Sequence, residues 1–438
     1  MTAAAQTTRS RLGLAVRVAC GNFLEMYDFM VFGYYAAAIG RTFFPTGNAI
    51  GSLLLALTTF GAGFLMRPLG ALVLGAYVDR IGVRRGLVLT LALMAIGTLT
   101  LACMPGYAEI GLAAPVLVLA GRLLQGFSAG VELGSTSVFL ADLAPPGQRG
   151  LYVSLQSVSQ QVAVIVAASL GVALEAWLSP ARMDAWGWRI PLLIGCAIVP
   201  FLFVLRRSLA KGEVMHAHRP APPGMGAIMR RLLAAWRIVL VGVLLVVMTT
   251  TSFYLITAYT PSFGRAVLHL SSRASLVVTL CVGLSNLIWL PLAGALTDRI
   301  GRRPVLIAST LLTILTAYPA MHWLVGHASF AHLLMVELWL SFLYGSYNGA
   351  MVVFLTEFVP QDVRNSGFSM AYSLATCIGG FTPAACTWLI QQTGNRAMPG
   401  LWLTGAALCG LLAALLARPR SAIDTMRTPA YPQGRKAG

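Results

Sequence analysis

This sequence is a succession of apolar stretches, each long enough to cross a membrane as a helix. A crossing helix needs about 20 apolar residues, because the hydrocarbon core offers no water to bond an exposed backbone. Hydrophobic residues make up 57% of the chain and charged residues 10%, against about 45–50% and 25% in soluble domains. The sequence therefore predicts an all-α membrane protein. It excludes a soluble enzyme, a disordered chain and a secreted disulfide scaffold.

Charges, prolines and glycines divide the apolar sequence into twelve predicted transmembrane helices. Their ends are predicted to within about 2–4 residues. The helices are expected near 15–40, 50–78, 86–104, 113–141, 151–176, 188–206, 237–260, 274–297, 304–325, 330–358, 366–391 and 399–417.

Basic residues outside these helices are distributed unevenly between the two sides of the membrane. With the N-terminus placed inside, 21 Lys and Arg residues fall in inner segments and six in outer loops. Inner loops carry the excess of basic residues in membrane proteins. We therefore expect a multi-pass protein with both termini in the cytoplasm. The net charge of +17 then reflects topology and attraction to membrane lipid, not nucleic acid.

Polar loops repeat along the chain. GAYVDRIGVRRG at 75–86 matches GALTDRIGRRPV at 294–305, at an offset of 219 residues. A second match, offset by 215 residues, lies after the fourth and tenth predicted helices. Its members are Asp142, Pro145 and Arg149 in one loop and Glu357, Pro360 and Arg364 in the other.

Two such repeats are typical of carriers whose site lies between two matching halves. We expect two six-helix repeats joined by a basic, proline-rich linker. The expected divisions are an N-terminal six-helix bundle at 1–206, a cytoplasmic linker at 207–235, a C-terminal six-helix bundle at 236–417 and a cytoplasmic tail at 418–438.

The DR-x-G-x-RR loops of both halves resemble the signature of the major facilitator superfamily. GNFLEMYDF at 21–29, RPLG at 67–70 and GRLLQGFSAGVELG at 121–134 resemble its metabolite:proton symporter family. The segment at 347–383 is similar to the bacterial citrate–proton symporters of that family. The resemblance implies the major facilitator fold, location in the bacterial inner membrane, and import of citrate with protons by alternating access.

Charged residues of the repeated loops are expected to act as gates. Carboxylates at an inner membrane face can pair with Arg or a helix N-terminus in one conformation and release it in another. The resemblance implies the same role, whereas the simpler interpretation is that the basic residues only hold the loops inside. The candidates are Asp79, Arg80, Arg84, Arg85, Asp142, Arg149, Asp298, Arg299, Arg302, Arg303, Glu357 and Arg364.

Arginines inside predicted helices are the first candidates for substrate binding. A charge near the bilayer centre costs at least about 2.5–3.5 kcal/mol, so it normally faces a cavity or a partner. The planar guanidinium group suits a carboxylate because it donates parallel hydrogen bonds. Arg122 is the first candidate for binding citrate, and Arg67 is the second. Arg67 could instead pack a helix end, and Arg122 could form a structural salt bridge.

Acidic residues inside the same helices are the candidates for the coupled proton. A carboxylate that loses its guanidinium partner to a substrate carboxylate binds a proton more readily. We expect this role for Glu25 first, Asp28 second and Glu132 third, although Asp28 could cap a helix break or pair with Arg122. Glu337, near the outer end of the tenth helix, is expected to snorkel or to serve a gate.

Neutral donors are expected to complete the site, because amide and hydroxyl groups bind carboxyl and hydroxyl groups at little cost in charge. Each of them could instead form an interhelical hydrogen bond. The resemblance implies that the first, fourth, seventh and tenth helices line the cavity. The candidates are Asn22, Gln125, Gln156, Gln160, Tyr254, Tyr347 and Asn348.

Several alternatives stay open at this point. Tricarballylate or another organic acid could replace citrate, and a drug:proton antiporter or a channel would be a different class. The sequence contains no nucleophile–base arrangement, no metal-ligand spacing and no GxxxxGK[ST] phosphate loop. We expect no enzyme activity, no cofactor and no metal, and a monomer.

Overall fold

The computed structural model describes residues 13–15, 18, 23–81, 83–130, 132–209, 225–361 and 364–417, and their regular structure is helical throughout. At 75, 76, 78–81, 83–87, 132–135, 200–209, 225 and 227–229 the backbone alone is described. The longer helices are α1 Phe23–Tyr34, α2 Ala36–Phe43, α3 Ala49–Leu65, α4 Arg67–Ile81, α5 Val83–Cys103, α6 Ala113–Ala129, α7 Glu132–Leu143, α8 Arg149–Trp177, α9 Arg189–Leu209, α10 Met225–Ala234, α11 Trp236–Tyr254, α12 Thr260–Ala266, α13 Ser272–Ile300, α14 Arg302–Gly326, α15 Phe330–Phe358, α16 Arg364–Gly380, α17 Thr382–Thr393 and α18 Met398–Leu416. Shorter elements are Tyr107–Ile110, Pro180–Arg182 and the π-helical turns Met183–Gly187 and Leu255–Tyr259.

Membrane-spanning length and composition recur along the described residues. Eight helical stretches are long and apolar enough to cross a bilayer, and three shorter apolar helices accompany them. The all-helical, multi-pass class predicted from the sequence is confirmed.

Four of the predicted helices are interrupted where the sequence predicts one continuous helix. The breaks lie at Tyr35, Met66, Gly130 and Phe381. Proline explains two of them. Pro68 and Pro383 stand in the first turns of α4 and α17, and proline cannot donate the backbone hydrogen bond that would continue the preceding helix.

The seventh predicted helix, expected at 237–260, continues to Ala266 through a π-helical turn. Pro261 follows that turn and has no N–H for the carbonyl of Thr257, which favours a local change of helix type. π-Helical turns occur often at functional sites. Here the turn separates Tyr254, at the end of α11, from Thr260, at the start of α12.

Close glycine contacts hold the early helices against the late ones. Gly150 of α8 lies against the backbone of Gly294 in α13, and Gly33 of α1 lies against Ala258 in the π-helical turn. Phe64 of α3 likewise fills the space over Gly380 in α16. A glycine lets two helices approach closely because it has no side chain. Between these contacts lies a buried polar centre.

Candidate functional site

Two buried arginines meet at one aromatic ring. The Arg67 and Arg122 side chains are 2% and 1% exposed. Their guanidinium carbons lie 5.0 and 4.4 Å from the ring centroid of Phe29. Phe29 comes from α1, Arg67 opens α4 and Arg122 lies in α6, so three helices build this centre. The structure thus brings together the two arginines expected to bind substrate, and that role stays a prediction.

Arg67 forms a buried ion pair with Glu25. Its Nη2 lies 2.5 Å from Oε1 of Glu25, and both side chains are almost fully buried. The Nε of Arg67 has no hydrogen-bond partner in the described residues. Arg67 begins a helix, in line with its interpretation as a helix-end residue, while its binding of substrate stays a prediction. Loss of one partner of such a pair typically costs about 3–5 kcal/mol, because the remaining charge stays buried.

Arg122 is enclosed by aromatic rings and only partly hydrogen-bonded. Its guanidinium carbon lies 4.5 Å from the ring centroid of Phe32 and 5.3 Å from that of Phe60. Nη1 donates to Oε1 of Gln125 at 2.8 Å, whereas Nε and Nη2 have no hydrogen-bond partner in the described part of the chain. Arg122 forms no salt bridge there. Buried donors without a partner cost free energy that an anionic ligand would recover.

A chain of hydrogen bonds joins Arg122 to Asp28. The Gln125 amide donates to Oγ1 of Thr98 at 2.8 Å, and Thr98 donates in turn to Oδ2 of Asp28. The second oxygen of Asp28 has no hydrogen-bond partner in the described residues. Asp28 therefore interacts with Arg122 through side chains of α5 and α6 rather than directly. The sequence did not indicate Thr98, because a single threonine in an apolar helix carries no pattern.

A narrow cavity borders Arg67 at the junction of early and late helices. Its polar lining from the early helices is Arg67 and Gln160, both of which are substrate-binding candidates from the sequence. Tyr254 was also predicted to line it, whereas Tyr372 of α16 was not expected from the sequence. The remaining lining residues are Met26, Thr249, Thr250, Phe253 and Tyr344. The cavity thus offers one cation, one amide and several hydroxyl groups.

Asn348 connects three helices beside this cavity. It accepts a hydrogen bond from Thr249 at 3.0 Å and donates one to Ser157 at 2.8 Å. Gln156 is buried next to Ser157, and its amide nitrogen has no hydrogen-bond partner in the described chain. The Tyr347 hydroxyl donates to the carbonyl of Leu245 at 2.8 Å. Tyr347 thus forms the interhelical hydrogen bond left open as its alternative.

Some predicted residues lie outside what the structure describes. Asn22 precedes the described part of the first helix. The backbone at Glu132, Asp79, Arg80, Arg84 and Arg85 is helical, but their side chains lie outside the described ones. Their proposed roles remain predictions.

Asp298 is the centre of a cluster at the predicted inner face. It accepts the backbone N–H of Gly150 at 2.9 Å and that of Leu151 at 3.2 Å, at the N-terminus of α8. Arg302 pairs with Asp298 at 2.8 Å and with Glu357 at 3.2 Å. A carboxylate at a helix N-terminus is stabilised by the free N–H groups there. This inner cluster ties an early helix to three late ones.

The second pair of gate motifs meets across the two halves of the chain. Asp142 pairs with Arg364 at 3.7 Å. Arg364 opens α16 next to α7, whereas Arg149 opens α8 as an exposed residue. The gating roles expected for Asp142, Arg149, Glu357 and Arg364 stay predictions.

The other inner arginines have simpler surroundings. Arg303 donates to the backbone carbonyls of Ala414 and Leu415 at the end of α18, at 3.0 and 3.1 Å. Cations at a helix C-terminus are favourable in this way. Arg299 is exposed.

Asp184 is the centre of a second cluster, at the predicted outer face, that the sequence did not reveal. It pairs with Arg41 at 2.5 Å and with Arg265 at 3.4 Å. Arg265 belongs to α12, and Asp184 to the π-helical turn before α9. Early and late helices are thus joined by charge at both faces of the molecule. Loop charges distant in sequence gave no spacing from which this outer cluster could be predicted.

Comparison with known proteins identifies the family. Residues 14–210 match the model for sugar (and other) transporters, and residues 272–436 that for the major facilitator superfamily. The chain is 55% identical to the citrate–proton symporter of Klebsiella pneumoniae, with 94% of this chain and 93% of that protein covered. It is 56% identical to the citrate–proton symporter of Salmonella typhi, covering 92% of each.

The chain belongs to this symporter family of the major facilitator superfamily. Among solved structures, it is similar to the proton:xylose symporter XylE bound to 6-bromo-6-deoxy-D-glucose, with a TM-score of 0.71, 17% identity and coverage of 93% and 95% of the two chains. At that identity the likeness establishes the fold alone. The family expected from the DR-x-G-x-RR loops is confirmed.

Proposed function

We propose that this protein imports citrate together with protons across the bacterial inner membrane by alternating access. The observation that carries the proposal is the buried Arg122, whose Nε and Nη2 face no acceptor in the described residues. The citrate–proton symporters at 55–56% identity support citrate as the substrate. A catalytic role has no support in this family of carriers.

The proposed architecture is twelve membrane-spanning helices in two six-helix bundles. The bundles comprise residues 1–206 and 236–417, with a linker at 207–235 and a tail at 418–438. Both termini lie in the cytoplasm, where the excess of basic residues places them. The eleven apolar helical stretches in the described residues, eight of them of full membrane-spanning length, support this division.

Citrate binding places carboxylate groups at the two arginines. Arg122 offers Nε and Nη2 to one carboxylate, in the side-on geometry that guanidinium groups favour. Arg67 offers its Nε to another. Gln160, Tyr254 and Tyr372 then donate to the remaining oxygens from the cavity lining. Neutral donors add specificity without adding more buried charge.

Proton coupling follows from competition for Arg67. A citrate carboxylate that pairs with Arg67 displaces Glu25, which stays buried but loses its ion pair with Arg67. A buried carboxylate without its cation is unfavourable and binds a proton. Glu25 is therefore the first candidate for the transported proton. Asp28, connected to Arg122 through Gln125 and Thr98, is the second, and Glu132 is the third.

Gating follows from the two charged clusters. The inner cluster around Asp298 and the outer cluster around Asp184 each join early helices to late ones. Alternating access requires each to break in turn while the other holds. The described conformation has both clusters formed, as expected of an occluded intermediate. Asp142 with Arg364, and the undescribed side chains of Asp79, Arg80, Arg84 and Arg85, complete the proposed inner gate.

Uptake of radiolabelled citrate into proteoliposomes tests the proposal. An inward proton gradient should drive accumulation, and a protonophore should abolish it. Accumulation that persists after the gradient collapses would refute coupling. Excess unlabelled tricarballylate, which lacks the hydroxyl group of citrate, should compete less well. Stronger competition by tricarballylate or another organic acid would identify that acid as the substrate. A cationic drug is disfavoured as cargo by the two buried arginines.

A further inference from the structure

Glu337 of α15 is a buried acid that the citrate site does not use. Its side chain is 4% exposed, and it lies among the buried residues Leu333, Val336 and Leu340. Glu337 therefore does not snorkel to the membrane interface, which was one of the two roles expected from the sequence. A buried carboxylate is normally compensated by a cation. Among the described residues, Glu337 has no ion pair, and its Oε2 has no hydrogen-bond partner.

The one hydrogen-bond contact that Glu337 makes among the described residues fits a protonated acid. Oγ1 of Thr260 lies 2.8 Å from Oε1 of Glu337, 3.0 Å from the carbonyl oxygen of Ile256 and 3.3 Å from that of Leu255. A hydroxyl group carries a single hydrogen. If the carboxyl group is protonated, it can donate to Oγ1 while the threonine hydrogen goes to Ile256. An ionised carboxylate would compete with that carbonyl for the same hydrogen.

Titratable groups at the outer ends of the neighbouring elements have partners of their own. Arg265 of α12 pairs with Asp184, and Glu175 of α8 lies in the field of those same two residues. The hydroxyl of Tyr259 accepts from Thr387. In α14, Tyr318 accepts from Asn395 and stacks on His322. Within α15 itself, His332 contacts Ser329, and Arg273 of α13 is exposed.

The remaining charged groups of the packed helices lie at the opposite, inner face. These are Asp142 of α7, Arg149 of α8, Arg237 of α11, Asp298 and Arg299 of α13, Arg302 and Arg303 of α14, Arg364 of α16, and Glu357 of α15 itself. None of them pairs with Glu337 or is hydrogen-bonded to it in the described structure. The acid is thus isolated from compensating charge while the outer face is closed.

We propose that Glu337 is a second proton-binding site of the transporter, occupied while the outer face is closed and exchanging with the outside when α12 moves. The proposal rests on proton-coupled transport as described above. Tyr254, which lines the cavity, and Thr260, which contacts Glu337, lie on either side of the π-helical turn Leu255–Tyr259. Movement of this turn on citrate binding would thus change the surroundings of the acid.

Proton stoichiometry in proteoliposomes tests the proposal. The number of protons per citrate is obtained from the membrane potential at which net citrate flux is zero, under fixed citrate and proton gradients. Glu337→Gln preserves shape but cannot ionise, so it should retain citrate counterflow and carry about one proton fewer than the wild type. Wild-type stoichiometry in Glu337→Gln would overturn the proposal. Absence of proton-coupled citrate flux in the wild type would instead refute the function proposed above.

Two control variants separate ionisation from packing. Glu337→Asp keeps an ionisable group, and Thr260→Val keeps the carboxyl group but removes its contact. Both should retain the wild-type stoichiometry, and a lower value in Glu337→Asp would overturn the proposal. Infrared spectroscopy supplies a test on the wild type itself. A protonated-carboxyl band at neutral pH that shifts in Glu337→Asp is expected, and its absence would contradict the assignment.

Discussion

Arg122 and Arg67 differ in how completely their charges are satisfied. Arg67 has a carboxylate at 2.5 Å, whereas Arg122 has an amide oxygen and three aromatic rings. Cation–π contacts stabilise a buried guanidinium group but leave its in-plane N–H groups without acceptors. Arg122 is therefore the position at which an incoming carboxylate gains most, and Arg67 the position at which it must compete.

Arg122→Lys should weaken citrate binding about 10- to 100-fold, since lysine keeps the charge but loses the parallel hydrogen bonds. Isothermal titration with purified protein measures the change. Arg189→Lys is the matched control, because Arg189 also stacks on an aromatic ring, 4.5 Å from Trp188, but bonds a loop carbonyl outside the site. If Arg122→Lys and Arg189→Lys bind citrate with equal affinity, Arg122 has a structural role instead.

Glu25→Gln should preserve citrate exchange and impair accumulation against a gradient, because the variant cannot take up the displaced proton. Counterflow and gradient-driven uptake in the same vesicles measure the two activities. Glu109→Gln, in the short helix Tyr107–Ile110, serves as the control and should retain both. Unimpaired accumulation by Glu25→Gln would transfer the coupling role to Asp28 or Glu132.

Among individual residues of the candidate site, the sequence predicted the charged ones better than their neutral partners. A buried charge is costly enough that its presence alone indicates a site, which is why Arg67, Arg122, Glu25 and Asp28 could be named. Thr98 and Tyr372 could not be, since threonine and tyrosine occur in apolar helices for many reasons. Their contribution depends on which helices meet, and that is a property of packing.

Among the helices, the charged groups proposed to act as gates lie at helix ends. Asp298 occupies the N-terminus of α8 although it belongs to α13, so it joins two long helices from different halves of the chain. Pro68 and Pro383 were visible in the sequence, yet the break near Pro383 was not predicted, and a helix end near Pro68 was only the alternative interpretation of Arg67. A proline can kink a helix or end it, and packing decides which.

Asp298→Asn should destabilise the inner-closed state by about 1 kcal/mol, the usual contribution of a capping group. Labelling of a cysteine introduced at the inner end of α8 should then become faster, and citrate uptake slower. The exposed Asp142 offers a comparison, because Asp142→Asn loses a more distant and more exposed pair. Equal labelling rates in Asp298→Asn and wild type would contradict the gating role.

Asp184→Asn should have a smaller effect on the outer face. Asp184, Arg41 and Arg265 are 36–42% exposed, and exposed pairs contribute about 0.2–1 kcal/mol each. The effect should decline as salt is added, since screening weakens exposed pairs. Labelling of a cysteine near Arg265, measured at low and high ionic strength, would reveal it. A salt-independent effect would indicate that packing, not charge, closes the outer face.

For the whole molecule, the sequence was most informative about what the bilayer imposes. The thickness of the bilayer sets the length of the apolar stretches, and basic residues stay on its inner side. The helical class could therefore be predicted without a structure. The ion-pair partner of Asp142, in contrast, could not be predicted from the sequence. Arg364 and Arg149 occupy equivalent loops in the repeat, and only the packing of α16 against α7 distinguishes them.

In the proposed mechanism, citrate takes Arg67 from Glu25, so that the carrier binds substrate and proton together. Titration calorimetry of citrate in buffers of different ionisation enthalpy measures the protons taken up on binding. The wild type should take up protons as citrate binds, and Glu25→Gln should take up about one fewer. Citrate binding with the same proton uptake in the wild type and in Glu25→Gln would contradict this mechanism.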